Sequence, residues 1–347
     1  MPVTRSQAAH HTRIPLAGST QETLLSEVGP VLLRFVSTRD ACALRLVCRE
    51  FLAAVTEHPW EDRDTVIQGS IGAWRACFPR ARCANMQRYD EDGEETRTFP
   101  VVDADFVHCE GLRELYMAGC SSVTDAAFVH LRGIHTLDMS WCDQLAITDC
   151  AFAHLAGIQR LSILGCNQAT ITDTAFPHLR GIQLLNISEC RQLTDAAFVH
   201  LRGIHTLDMQ LCDQPAITDA AFAHLRGIHT LVMEGCDQAT ITGGSFSCLK
   251  RISVLGMAAC DGAAIAAARS LGLPVLTKWG RLGALTYEPA GRFMMSSKGA
   301  GSVEGVHSVQ LACFLLRVAS VCDSKYFPQD DLFTTSLPSS TALHCAR

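Results

Sequence analysis

Hydrophobic residues fall on a fixed beat through the middle of this chain. Between Leu112 and Cys260 the frame L/I-x-x-L-x-M/I-x-x-C appears seven times. Its cysteines are Cys120, Cys142, Cys166, Cys190, Cys212, Cys236 and Cys260, spaced 22, 24, 24, 22, 24 and 24 residues apart. Self-similarity at such a period predicts a solenoid, in which each unit buries its apolar face only against its neighbours. Within one period, Ile134, Leu137 and Met139 have the spacing of a short strand with one buried face. Cys142 then turns inward. Thr148 and Asp149 offer oxygens for a helix N-cap, Ala151, Phe152 and Leu155 give the helix its apolar stripe, and Gly157 ends it. The strands must then stack in parallel. At about 4.8 Å per strand, seven of them predict a concave sheet roughly 30 Å wide.

The same pattern sets the boundaries. Val101–Phe106 (VVDADF) matches the later ITDAAF, so the repeat domain is expected over 101–277, with a last irregular strand around Leu273 and Leu276. Residues 111–180 and 181–250 align as two blocks without a gap, so the array grew by copying three repeats at once, and sameness alone does not indicate function. Residues 1–18 are polar and aperiodic and are expected to be disordered. Residues 19–60 carry helical patterning. Residues 61–100 read as a connector that includes the charged run Tyr89–Glu95, and residues 278–347 as a cap with a flexible tail.

The array resembles the cysteine-containing class of leucine-rich repeats, whose frame is LxxLxLxxC…ITD. Here Phe stands in place of the common Leu after Thr-Asp. The fold class expected is α/β: a leucine-rich-repeat solenoid, a curved parallel sheet with short helices outside, preceded by a small all-α domain. In that domain Leu24, Val28, Leu32, Leu33 and Phe35 form a helical stripe. Asp40 is expected to cap a second helix bearing Leu44, Val47 and Phe51. The segment Leu24–Phe51 resembles an F-box, with Leu24, Glu27, Val28, Leu32, Leu33, Phe35, Val36, Asp40, Leu44 and Leu46–Arg49 in register, and His58-Pro59-Trp60 resembling the motif's tail. Leu25 replaces the usual Pro, and Gly29-Pro30 interrupts the first helix. The resemblance implies docking on the adaptor of an SCF-type cullin–RING ubiquitin ligase through Leu24, Val28, Leu32, Leu33, Leu46, Val47 and Phe51. It thus implies adaptor and cullin as partners and an F-box/leucine-rich-repeat substrate-recognition subunit. The alternative is a repeat scaffold with no ligase partner.

Composition narrows the chemistry. Hydrophobic content of 48% allows a large core, while a net charge of −6 gives no global footprint for nucleic acid or an anionic membrane. The start of the chain lacks a signal-peptide core, and Val306–Cys322 is interrupted by His307, Gln310 and Arg317. Seventeen cysteines, seven of them in one column, read as reduced thiols in the cytoplasm or nucleus. Histidine recurs in Phe-x-His-Leu, but on a different leg of the repeat from cysteine, so no metal site and no cofactor is expected. No catalytic motif appears, and the chain is expected not to be an enzyme. A target protein is expected on the concave face, at Tyr116, Asp138, Trp141, Arg160, Asn186, Asp208, Gln210 and Glu234. There exposed aromatics anchor and carboxylates favour a basic partner.

Overall fold

The computed structural model describes residues 29, 31–88 and 100–277. It divides into two units, Met1–His58 and Pro59–Arg347. Leu24, Val28, the segment 1–18, the charged run Tyr89–Glu95 and the tail 278–347 lie outside the described residues.

Among the described residues the second unit holds nine strands in one parallel sheet, in sequence order. They are β1 (Cys83–Asn85), β2 (Glu114–Tyr116), β3 (Thr136–Asp138), β4 (Arg160–Ser162), β5 (Leu184–Asn186), β6 (Thr206–Asp208), β7 (Thr230–Val232), β8 (Val254–Gly256) and β9 (Val275–Leu276). The register pairs like with like: Leu115 with Leu137, Leu137 with Leu161, and so on through Leu255. This is the leucine-rich-repeat solenoid, two strands longer than the seven cysteine frames. The core is a set of columns. Leu137, Met139, Cys142, Ile147, Ala151 and Phe152 are fully buried, and so are their equivalents in the neighbouring repeats.

Residues 61–88 of the segment read as a connector belong to the solenoid and supply β1. Trp60 O accepts from the backbone N–H groups of Arg82 and Cys83, as Arg113 O accepts from those of His135 and Thr136. Residues 60 to 82 therefore make one more turn of the solenoid. Its signature is hidden because α1 (Ile71–Cys77), Phe78 and Met86 do the work of the usual Phe, Leu and Met. Trp60, read as the tail of the helical module, instead packs edge-on against Phe78 at 5.3 Å in this first turn.

The helical legs are shorter than the apolar stripe implies. α2 (Asp149–Phe152) runs on as a 3-10 turn, whereas Asp125–Leu131 and Asp173–Leu179 are 3-10 throughout. The threonine caps are as expected: Thr148 Oγ1 accepts from Cys150 N at 3.1 Å. Gly157, at φ +86°, turns the chain out of its leg.

In the first unit, a 3-10 turn at Leu33–Phe35 leads to helices Thr38–Leu44 and Arg49–Glu57. Ser37, not Asp40, caps the first of these: Ser37 Oγ accepts from Asp40 N at 3.1 Å and donates to Asp40 Oδ2 at 2.9 Å. Leu44 and Phe51 belong to two successive helices rather than one stripe, and both are buried together with Leu33, Ala41 and Val55.

Candidate functional site

Three side-chain ladders close each repeat onto the next. The Asp125 carboxylate accepts from Thr148 N at 2.7 Å and from Thr148 Oγ1 at 2.6 Å, a pairing repeated from Asp103–Thr124 to Asp219–Thr242. Gln168 Nε2 donates to Cys142 O at 3.0 Å, with Gln144, Gln192, Gln214 and Gln238 in equivalent bonds. Each column thiol donates to a strand-end carbonyl one repeat back, as Cys166 does to Met139 O at 3.1 Å. Burial pushes the thiols of Cys166, Cys212 and Cys260 up to about 12 and those of Cys142, Cys190 and Cys236 well above the ordinary range. A thiol held protonated is a poor nucleophile. The cysteine column is therefore spent on packing and hydrogen bonding.

The sheet face expected to hold a target is less open than strict alternation implies. Asp138, Asn186, Asp208 and Glu234 are buried, as is Tyr116. Neighbouring strands stand about 4.8 Å apart, so short polar side chains meet across them. Ser140 Oγ donates to Asp138 Oδ1 at 2.5 Å and lies 2.8 Å from Ser162 Oγ. Ser188 Oγ donates to Asp208 Oδ1 at 2.8 Å, and Gln210 Nε2 also donates to that carboxylate. Asn186 Oδ1 accepts from Ser188 N at 2.9 Å. Tyr116 donates to Glu114, which Arg63 grips through two bonds of 2.6 Å. Burial, then the Glu114 charge, raises the Tyr116 phenol.

Of the expected target-binding residues, Arg160 is exposed and Gln210 half-buried, while Trp141 is 50% exposed. Trp141 sits in the left-handed region at φ +59°, and its indole lies over Gly165, where a Cβ would come within 2.3 Å of the ring. Leu211, its counterpart in the second 70-residue block, is left-handed and exposed as well. The structure thus keeps Trp141 and Arg160 available on neighbouring repeats.

The first unit shows the opposite balance. Leu33 and Phe51, expected at an adaptor interface, are spent on the unit's own core, while Leu32 and Val47 are half-buried. Leu46 is 84% exposed, as expected of a docking residue. Phe35, which the pattern placed in the apolar stripe, is 85% exposed, and Val31 and Leu52 are exposed too; none of the three was expected at the adaptor interface. The Val31–Phe35 spacing of four was the available signal; the short 3-10 turn decides which way each side chain faces.

No model of a known protein family matches the chain, and no curated protein matches it in sequence. Among solved structures it is similar to a yeast complex of Rad7 and Elc1, at 20% identity over 42% of this chain and 42% of that one, TM-score 0.34. It is also similar to internalin C2 from Listeria monocytogenes, at 17% identity over 59% and 84%, TM-score 0.43. A TLR13–ssRNA13 complex matches at 17% identity over 53% and 30%, TM-score 0.42. The chain therefore spans less than half the length of the Rad7–Elc1 and TLR13 chains it matches. The assignment of fold rests on the sheet and its register. No helix of the described residues is long and apolar enough to cross a membrane.

Proposed function

We propose that this leucine-rich-repeat protein is the substrate-recognition subunit of an SCF-type cullin–RING ubiquitin ligase, with the helical unit docking on the adaptor and the array holding a target protein. The observation that carries the reading is the pair Phe35 and Leu46. Both are almost fully in water within a segment whose residues resemble an F-box. Burying each against a partner is worth about 1.5–3 kcal/mol, and such anchors dominate helix-on-helix interfaces. The chain makes no bond itself. Holding a target beside the ligase raises the effective concentration for ubiquitin transfer, in the reducing compartment that the cysteine content fits.

The test is co-purification of adaptor and cullin with the full chain against Phe35→Asp/Leu46→Asp. Both positions are exposed, so the fold tolerates the change. The expected result is loss of both partners. Undiminished capture overturns the reading and leaves a repeat scaffold without a ligase partner.

A further inference from the structure

Because every strand runs the same way, one edge of the solenoid carries all the strand starts and the other all the strand ends. The charges separate between these edges. On the strand-end side stand Asp138, Asp143, Asp208, Asp213, Glu234 and Asp237; of the cations there, Arg191 lies 3.5 Å from Asp213 and Arg88 donates to Ser121 Oγ at 3.1 Å. On the strand-start side the phrase His-Leu-Arg-Gly-Ile places Arg132, Arg180, Arg202 and Arg226 at equivalent positions, with Lys250 in the next repeat and Arg160 at the start of β4. All six are exposed. From Val129 to Val254, none of the six successive leg-to-strand segments contains a carboxylate. The preceding segment has two, Glu110 and Glu114, and each already has a partner, His130 at 2.7 Å and Arg63 at 2.6 Å.

The row runs through successive repeats, with Arg160 at the start of β4 in the repeat whose leg ends in Ala156. Arg132 and Arg180 leave their legs with nearly identical backbone angles. Two of the cations stand beside the histidine of the next repeat: Arg132 Nε reaches His154 Nδ1 at 3.4 Å, and Arg180 adds to the burial that holds the His200 imidazole below its ordinary range. Cation beside imidazole offers no internal neutralisation. Among the described residues no carboxylate pairs with Arg132, Arg180, Arg202, Arg226 or Lys250. Like charges aligned in this way destabilise a fold by self-repulsion and are relieved by an anionic partner.

We infer that the strand-start edge is a docking surface for an extended acidic peptide segment of a partner protein. Six repeats at about 4.8 Å give a row roughly 24 Å long, the length of about seven extended residues. Beside the cations, Val129, Pro177 and Val199 stand exposed on the legs, so the fitting segment interleaves aliphatic residues with its carboxylates. Two observations favour a peptide over nucleic acid. The exposed large aromatic of the array, Trp141, lies after its strand on the opposite edge, and the rings beside the row are imidazoles, of which His205 and His229 already stack on each other at 4.6 Å. The carboxylates of that opposite edge, in a chain of net charge −6, repel a long polyanion. The inference does not depend on the ligase reading.

The experiment titrates the full chain against a fluorescein-labelled peptide of four Glu-Glu-Val triplets at about 50 mM salt, where the Debye length exceeds 10 Å. Saturable binding is expected, several-fold weaker at about 200 mM. Arg180→Glu/Arg202→Glu/Arg226→Glu should weaken it at least about tenfold, the matching Arg→Gln triple less so, and Arg191→Glu on the other edge not at all. Adaptor capture should be unchanged in all of them, which separates this test from that of the ligase reading. Absence of binding, equal binding by the charge-reversed chain, or displacement by a twelve-nucleotide oligothymidine at lower concentration than by unlabelled peptide overturns the inference. Circular dichroism melts of each variant check that the array stays folded.

Discussion

The repeat array and the helical unit dispose of their apolar side chains in opposite ways. In the array the Leu and Phe columns are buried, as is the Cys column from Cys120 to Cys236, and the Asp–Thr, Gln–carbonyl and thiol–carbonyl ladders tie each repeat to its neighbour. In the helical unit, Leu33, Leu44 and Phe51 go inward while Phe35 and Leu46 stay in water. The array's apolar columns are covered by its own neighbouring repeats. The helical unit leaves Phe35 and Leu46 outside and has that apolar surface to give to a partner.

The sharpest way to separate the two is alkaline pH. The column thiols are held protonated by burial, so folding keeps protons that the unfolded chain releases above about pH 8.5. The stability they protect is complete below that pH and falls as pH rises towards 12, by up to about 1.4 kcal/mol per pH unit for each thiol. Melting followed by circular dichroism should therefore show a flat midpoint to about pH 8.5 and a steep decline above it. A midpoint constant to pH 10.5 contradicts the buried thiol column.

Next in size is a matched pair of truncations. Phe152→Ala, at a fully buried position, should cost about 3–5 kcal/mol. Phe35→Ala, at a position 85% exposed, should change stability by no more than about 0.5 kcal/mol. Denaturant unfolding checks both, and equal losses would abolish the contrast between the regions. The smallest effect tests the ladders. Asp149→Ala removes the acceptor for Thr172 N and Thr172 Oγ1, both at 2.7 Å, and for the Thr174 hydroxyl. It should cost about 1–3 kcal/mol, read as a lower denaturant midpoint with an unchanged slope.

The period, the parallel stacking, the register and the threonine caps were legible in the sequence, because one repeat's apolar spacing admits one face inward and copying repeats that choice. Leu137 opposite Leu161 follows from the frame alone. Only the tertiary structure decided what the frame does not encode. The turn from Trp60 to Arg82 carries no cysteine signature, and its backbone hydrogen bonds place it in the solenoid. Asp138, Asp208 and Glu234 occupy positions that alternation assigns to solvent, yet they are buried, since the openness of a strand position depends on residues a whole repeat away. The same holds for Phe35, whose direction is set by a 3-10 turn of three residues. Spacing within a segment determines which residues form the core; what remains exposed is determined between segments, by packing across distances the chain does not spell out.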